Sequence, residues 1–125
     1  MELYDYFKSI ADSDDAQIII CDLSHNIIYM NPAAIKNYAR QGGAGLIGKS
    51  VLDCHGAHSR EMIRKVAEWF AADKSHNKVH TFYSEKRNKD VYMVALRDGD
   101  GNLIGYYEKH EYRDRDLSPL YDLSD

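Results

Sequence analysis

The stretch LIGKSVLDCHGAHSREMIRKVAEWF, residues 46–70, decides the fold. In its second half, apolar residues recur at the spacing that places them along one side of a helix, and charged residues fill most other positions. A helix with one apolar side must bury that side against another layer, so the pattern predicts a helix packed on a sheet. Ser59 is a residue type that caps helices, and we expect the helix to run from Arg60 to about Asp73. The apolar positions are Met62, Ile63, Val66, Ala67, Trp69 and Phe70.

Three side chains that can titrate or bind metal ions lie close together just before this helix. Cys54, His55 and His58 fall within five residues, where a loop leads into the helix. Imidazole and thiolate are common ligands of metal ions, and both groups also take part in proton transfer. A chemical site is therefore expected first in this turn.

Length and charge indicate one globular domain that does not bind nucleic acid. The 125 residues suffice for a single core. The formal net charge of -4 and the pI near 5.8 leave no basic face for a phosphate backbone. Nucleic acid is therefore not expected as a partner.

Neither a membrane span nor a secretion signal is expected. No apolar run approaches the roughly 20 residues that cross a bilayer, and the N-terminus MELYDYFKSI has acids where a signal peptide has basic residues. Cys21 in an apolar run and Cys54 in a turn form no disulfide framework and fit a reducing compartment. We therefore expect a cytoplasmic protein with no membrane contact.

Residues 2–11, ELYDYFKSIA, predict a short amphipathic helix. A short helix gains stability mainly by packing on another surface, so it either covers its own domain or pairs with a second copy of the chain. We predict a homodimer through this helix, with the outer face of the sheet contributing. The apolar stripe consists of Leu3, Tyr6, Phe7 and Ile10.

A hairpin and a second helix are expected next. The apolar runs 17–23 and 27–30 are joined by turn-forming residues, which is typical of a β-hairpin. Asn31-Pro32 then favours a helix through residue 41, because Asn caps helices and Pro suits the first helical position. The glycine-rich residues 42–45 lack the features of a phosphate loop and predict a linker. The helix positions expected to face inward are Ala34, Ile35 and Tyr38.

The last third of the chain predicts three consecutive antiparallel strands, residues 78–84, 90–97 and 103–112. A polar turn joins the first two, and Asp98-Gly99-Asp100-Gly101-Asn102 is a strong tight-turn signal before the third. Alternation in the first strand places Val79, Thr81 and Tyr83 on one side and His80 and Phe82 on the other.

These elements together predict an α+β fold, in which helices cover one face of a five-stranded antiparallel sheet. The expected organisation is an N-terminal helical cap over residues 1–14, a domain over residues 15–112, and a polar C-terminal tail over residues 113–125. The tail is charged and contains Pro119, so we expect it to lie on the surface or to be disordered.

Three segments within residues 16–111 resemble a PAS domain. IIICDLSHNIIYMNPAAIKNY, residues 18–38, is similar to the opening hairpin of the family and the start of its first helix. LIGKSV, residues 46–51, resembles its hydrophobic-Ile-Gly-Lys segment, and VALRDGDGNLIGYYE, residues 94–108, resembles its last hairpin. DCHGAHS, residues 53–59, is similar to a Cys-His turn of a bacterial PAS subgroup found beside hemerythrin-like domains, but it departs from that pattern at residues 56–58, so no function is carried over.

The resemblance implies a sensory or protein-interaction module of signal transduction, with a ligand pocket between sheet and helices and dimerisation through an N-terminal helix. It does not fix the small-molecule ligand. The chain ends soon after its last predicted strand, so signal output is expected through a signalling partner or a dimer interface.

Strand alternation and the helix pattern predict which side chains line the pocket. Such residues are also ordinary core residues, so the pattern does not separate the two roles. The predicted lining comprises Ile20, Tyr38, Val51, Cys54, His55, His58, Ile63, Val66, Met93 and Tyr106.

The alternative function is a haem-binding redox or gas sensor. His55 or His58 is then the axial ligand, because a neutral imidazole commonly binds haem iron. The structural alternative is that Cys54 packs inward and the two histidines decorate the turn. A closed zinc site requires four ligands, and only three candidates cluster here.

A photoactive flavin is not expected, because the resemblance places the reactive cysteine of light-sensing PAS domains in a Gly-x-Asn-Cys-Arg-Phe segment. Here Gly48-Lys49 is followed by Ser50-Val51, and Cys54 lies three residues too late. Asp53, His55 and Ser59 have the residue types of a catalytic triad, but triads assemble from distant segments around an oxyanion hole. We therefore expect a protein that is not an enzyme.

Overall fold

A computed structural model describes residues 1–124 and shows an α+β fold with one five-stranded antiparallel sheet, which confirms the predicted fold class. The sheet order is β2-β1-β5-β4-β3, so the last strand lies in the centre of the sheet. The strands are β1 (Ile19–Asp22), β2 (Ile27–Met30), β3 (Lys78–Ser84), β4 (Lys89–Arg97) and β5 (Leu103–Tyr112). The helices are α1 (Leu3–Ser13), α2 (Pro32–Asn37) and α3 (Ala57–Ala72).

Asn31 joins three elements at the start of α2. Its side-chain oxygen accepts hydrogen bonds from Ala34 N at 3.0 Å and Ile18 N at 2.9 Å, and its amide nitrogen donates to the carbonyl oxygens of Ala11 and Ala16. The first of these bonds is the helix cap that the sequence predicted. The side chain is fully buried, so these bonds fix the end of α1 and the approach to β1 against α2.

The predicted helix over residues 32–41 is shorter in the structure. α2 ends at Asn37, and a 3-10 turn follows at Ala39–Gln41. Gly42 and Gly43 then adopt positive φ angles of 129° and 54°, so the chain changes direction and the helix cannot continue. Glycine adopts such angles without the steric cost that a side chain would bring. A second 3-10 turn, Gly43–Leu46, buries Leu46 in the core.

The start of α3 differs from the prediction, whereas its end agrees. The helix begins at Ala57 with Gly56 as its N-cap, so Ser59 lies inside the helix and caps nothing. The reason is that Arg60 N already donates to Gly56 O at 3.0 Å, which extends the helical bonding three residues upstream of the predicted start. The helix ends at Ala72, and Phe70 on its apolar stripe is fully buried.

A β-bulge corrects the predicted faces of β3. His80 pairs with Tyr92 and Phe82 pairs with Val91, so Thr81 is an extra residue in the ladder. Directly paired residues lie on the same face of a sheet. Phe82 therefore lies on the face of Val79, and Tyr83 lies on the opposite face, with His80. Simple alternation predicted the reverse for both residues, so these two predictions are wrong.

The face of the sheet that α3 covers is called the inner face below. The core between it and the helices contains Cys21, Ile27, Met30, Ala34, Leu46, Val66, Phe70, Met93 and Tyr106. Of the inward positions predicted on the second helix, Ala34 is fully buried, and Ile35 and Tyr38 are partly buried against this core.

The two ends of the chain lie on the surface. α1 has no buried residue, and residues 113–124 are exposed; residue 125 of the predicted tail lies outside the described residues. Arg113 connects the start of the tail to β4 through a 2.8 Å bond from its Nε to Asp90. None of the helices in residues 1–124 is both long enough and apolar enough to span a bilayer.

Candidate functional site

An inner cavity lies between the inner face of the sheet and the helical layer, with a volume of about 180 Å³. Most of its walls are apolar, which is typical of a small-molecule site with a few polar groups. The apolar lining residues are Ile19, Ile27, Met30, Leu46, Val51, Ile63 and Met93. The remaining ones are Cys21, Tyr38, Cys54, His55, Tyr106 and Glu108.

A wider side groove of about 630 Å³ adjoins the inner cavity, between the beginning of α3 and strands β3, β4 and β5. The cavity and the groove share five lining residues, so one opens into the other. The shared residues are Tyr38, His55, Ile63, Met93 and Glu108.

The structure brings most of the predicted pocket residues to these two spaces. His58 and Val66 line the side groove and not the inner cavity. Ile20 is the exception, because it lines neither space. The residues that the sequence predicted in the pocket and that line the inner cavity are Tyr38, Val51, Cys54, His55, Ile63, Met93 and Tyr106.

The predicted inward position of Ile20 is wrong by one residue. On β1, Ile19 pairs with Glu108 and Cys21 pairs with Tyr106, and all four line the inner cavity. Ile20 pairs with Tyr107 and therefore points to the outer face. Residues 18–20 are all isoleucine, so their hydrophobicity gave no means of choosing the inward one.

A buried polar cluster at the junction of cavity and groove was not predicted. His110 Nε2 lies 2.7 Å from Glu108 Oε1 and 2.8 Å from Gln17 Nε2, and Asn37 donates to Gln17 Oε1. Only 5% of the His110 side chain is exposed, and its Nδ1 has no hydrogen-bond partner within residues 1–124. The sequence did contain one indication of this cluster: positions 106, 108 and 110 are spaced by two residues along β5, so their side chains lie on the same face of the strand.

Glu108 keeps its carboxyl group ionised although it faces an apolar cavity. Burial raises its pKa, but the hydrogen bond from His110, the proximity of His110 and His55, and hydrogen bonding from Gln17 together outweigh burial. The pKa of Glu108 is therefore lower than its usual value. The side chain is about one-third exposed, and no side chain in the described part of the chain donates a well-formed hydrogen bond to its second oxygen, Oε2.

The hydroxyl and buried thiol groups of the cavity wall are neutral. The Tyr106 hydroxyl lies 2.8 Å from His25 Nδ1. Burial raises the pKa of Tyr106 and that of Tyr38, so both hydroxyls stay protonated. Burial also raises the pKa of the Cys21 thiol to about 12, so this thiol faces the cavity in its unreactive neutral form.

Cys54, His55 and His58 are not arranged as a three-ligand metal site in the described residues. Within residues 1–124 no group of three or more His, Cys, Asp or Glu side chains is arranged to hold a metal ion. Cys54 ends a 3-10 turn, Val51–Cys54, and is exposed although it also lines the cavity. His55 reaches the cavity and the groove, whereas His58 in the first turn of α3 reaches the groove alone.

Asp53, His55 and Ser59 are not assembled for nucleophilic catalysis. No side-chain hydrogen bond connects any two of them in the described chain, although a triad requires the nucleophile to bond to the base and the base to an orienting acid. Asp53 and Ser59 are exposed, and His55 is partly buried.

No protein-family model matches this sequence, and no curated protein matches it. Solved structures do match. The PAS domain of BvgS from Bordetella pertussis has a TM-score of 0.64 and 16% identity, over 90% of this chain and 87% of that chain. The PAS domain of a protein from Colwellia psychrerythraea has a TM-score of 0.64 and 16% identity, over 90% of this chain and 98% of that chain.

A third similar structure is the Aer2 receptor from Vibrio cholerae, a dual PAS-haem oxygen sensor. It has a TM-score of 0.53 and 18% identity, over 75% of this chain and 90% of that chain. At these identities the comparisons establish the fold. The chain has the five-stranded sheet and helical layer of a PAS domain.

Proposed function

From the PAS fold of this chain, we propose that it is a sensory domain of signal transduction, which binds a small ligand in the inner cavity and signals through dimer or partner contacts. The observation that carries the proposal is the cavity of about 180 Å³ between the sheet and the helices. A cavity of about 150 Å³ with apolar walls is known to bind benzene, so the volume suits a small organic molecule. We also propose that the protein is not an enzyme. We propose a cytoplasmic location, where the free thiols of Cys21 and Cys54 would stay reduced.

Ligand binding is tested by native mass spectrometry of the gently purified protein and by thermal unfolding with candidate small molecules. Ile63→Phe fills part of the inner cavity, and Ile104→Phe is the matched control, because Ile104 is about half exposed and lines neither space. We expect bound mass and thermal stabilisation in the native protein and the control, and loss of both in Ile63→Phe. Equal binding by Ile63→Phe would show that the ligand occupies another place.

The partner that we propose is a second copy of this chain, bound through α1. No residue of α1 is buried, and the helix is attached mainly near its C-terminal end, through Ala11 O and through the contact between Asp12 and the Tyr29 hydroxyl. The outer face contributes an adjacent apolar area, where Ile20, Tyr107 and Val94 lie side by side. The stripe that the partner would cover is Leu3, Tyr6, Phe7 and Ile10, which are 58–66% exposed.

Sedimentation velocity tests this interface. Phe7→Glu places a charge in the stripe, whereas Ser9→Glu places the same charge on the other side of α1. We expect Phe7→Glu, or removal of residues 1–12, to give monomers, and Ser9→Glu to remain dimeric. A native chain that is monomeric well above micromolar concentration, or a truncated chain that stays dimeric, would contradict the proposal.

The second candidate function is haem-based sensing, which the similarity to the Aer2 receptor and the position of His55 in the cavity wall favour. The inner cavity is smaller than the roughly 300 Å³ from which drug-sized ligand pockets begin, so haem fits this geometry less well than a small organic molecule does. An absorption spectrum decides between them: a Soret band that disappears in His55→Ala or His58→Ala supports haem. No band after haem is supplied would eliminate this function.

A further inference from the structure

The inner cavity has one acidic side chain, Glu108, among the described residues that line it. Glu108 is the only lining residue with a carboxylate or a permanent charge; the others are apolar, hydroxyl, thiol or imidazole groups. A carboxylate accepts hydrogen bonds and cannot donate them. The one charge in the cavity therefore favours a ligand that carries donors and a positive charge.

His110 binds one oxygen of the Glu108 carboxylate, and Gln17 is the other side chain that contributes hydrogen bonding to this carboxyl group. His110 contacts Oε1 at 2.7 Å, and because an ionised carboxylate only accepts, the proton of this bond belongs to the imidazole. The His110 side chain is itself 95% buried, which holds the contact in one geometry. Oε2 has no well-formed donor within residues 1–124 and belongs to a residue that lines both spaces.

The position of Glu108 sets the orientation of such a ligand. Because Glu108 lines both the cavity and the groove, it lies at the mouth between them. An apolar group would enter the cavity toward Met30 and Tyr106, while a charged group at the mouth keeps contact with water. A charge placed deep in the cavity would instead lose its hydration.

We infer that the ligand of the inner cavity is a small amphipathic amine, whose apolar body of about benzene size fills the cavity and whose ammonium group binds Glu108 Oε2. This inference rests on the proposed function, since it names the ligand class of the same site. The volume of about 180 Å³ leaves room for little more than an aromatic ring and a short chain. Lys89 and His80 line only the groove beyond the mouth. The basic groups that face the Glu108 carboxylate are the imidazoles of His110, in contact with Oε1, and of His55, which lines both spaces.

Three probes with one carbon skeleton test the inference: 2-phenylethylamine, 2-phenylethanol and phenylacetate. They offer an ammonium, a neutral hydroxyl and a carboxylate on a phenyl ring at the same chain length. Binding is measured at neutral pH by isothermal titration calorimetry, and the site is located by amide chemical shifts in ¹H–¹⁵N NMR spectra. We expect the amine to bind about tenfold or more tighter than the alcohol, since a hydrogen bond to a charged group is worth that much. Phenylacetate should bind weakest.

Glu108→Gln removes the charge and keeps the shape. We expect it to lower the affinity for the amine to the level of the alcohol, with the affinity for the alcohol unchanged. Glu111→Gln is the matched control: Glu111 is on the same strand, outside the cavity, and bonds to Lys109 and Arg113. It should leave all three affinities as they are.

The outcomes separate the two proposals. If the amine and the alcohol bind equally, or if phenylacetate binds tightest, the amine inference is wrong while the cavity remains a ligand site. If none of the three probes binds at millimolar concentration, the amine inference is wrong, and bound mass in the native mass spectrum then decides the proposed ligand-binding function separately. Should Glu108→Gln not fold, the order of the three affinities in the native protein still decides the inference.

Discussion

At the scale of single residues, Gly105 allows two strands to approach each other closely. A Cβ atom at this position would lie 2.2 Å from the carbonyl oxygen of Cys21 on the neighbouring strand, and this oxygen is backbone, which cannot turn aside. The glycine is therefore a requirement of the pairing between β1 and β5, on which the placement of Ile19 and Cys21 in the cavity depends.

We predict that Gly105→Ala lowers the free energy of unfolding by about 3 kcal/mol, the upper part of the range for overpacking, because the strands must separate to admit the methyl group. Gly99→Ala is the control, since a Cβ there meets nothing within 4 Å. Urea denaturation of both variants measures the difference. A Gly105→Ala protein as stable as Gly99→Ala would show that the strands are spaced more widely than described.

The two cysteines should differ sharply in reactivity. Cys21 is buried with a thiol pKa of about 12, whereas Cys54 is exposed. Because the thiolate is the nucleophile, we predict that one thiol per folded chain reacts quickly with a disulfide reagent at pH 8 and that the second reacts only on unfolding. Cys54→Ser should abolish the fast phase, and a fast phase that survives this change would contradict the burial of Cys21.

At the scale of elements, capping and anchoring fix how helices meet the sheet. Asn31 joins α1, β1 and α2, and Arg97 joins α3 to β4. The Arg97 guanidinium donates to the carbonyl oxygen of Phe70, in the last turn of α3, at 2.7 Å and to that of His76, in the loop after α3, at 3.0 Å. These two polar side chains fix the positions of the helices relative to the sheet. Apolar contacts alone are not directional and would allow the helices to shift along the sheet.

We predict that Asn31→Ala costs about 3 kcal/mol of stability, because it removes a helix cap and leaves buried donors and acceptors unpaired. Lys36→Ala provides the comparison: Lys36 lies near the end of the same helix, is exposed and makes no side-chain hydrogen bond within residues 1–124, so this change should cost about 0.5 kcal/mol or less. Thermal and urea unfolding measure both. Equal losses in the two variants would refute the role given to Asn31.

At the scale of the whole molecule, the contact between Glu108 and the buried His110 links stability to pH. The pKa of Glu108 is lower in the folded chain than its ordinary value near 4.5, so this group favours folding above that value. The contribution is lost as the pH falls from about 5 through the folded pKa, because protonation then favours the unfolded chain.

We therefore predict that the difference in unfolding free energy between the native protein and Glu108→Gln shrinks between about pH 5 and pH 3, with the native protein losing more. Urea denaturation at a series of pH values measures this difference. Titration of the Glu108 carboxyl carbon by NMR provides an independent check. A titration midpoint above 4.5, or a difference that does not change with pH, would contradict the described environment of Glu108.

The sequence alone determined the elements and their order, because each depends on neighbours in the chain. The stripe on α3, the Asn31-Pro32 start of α2 and the tight turn at Asp98–Asn102 are local patterns, and the structure contains all three. The resemblance to PAS domains extended these patterns to the correct fold.

Only the tertiary structure decided which side chains meet at the site. Alternation has a period of two residues and two equivalent phases, and in a run of three isoleucines nothing local selects the phase that places Ile19 inside and Ile20 outside. The bulge at Thr81 likewise results from pairing with β4. Gln17, Glu108 and His110 meet because β1 and β5 pair across more than 80 residues of sequence, and contacts of that range depend on strand register, which the pattern of each strand does not contain.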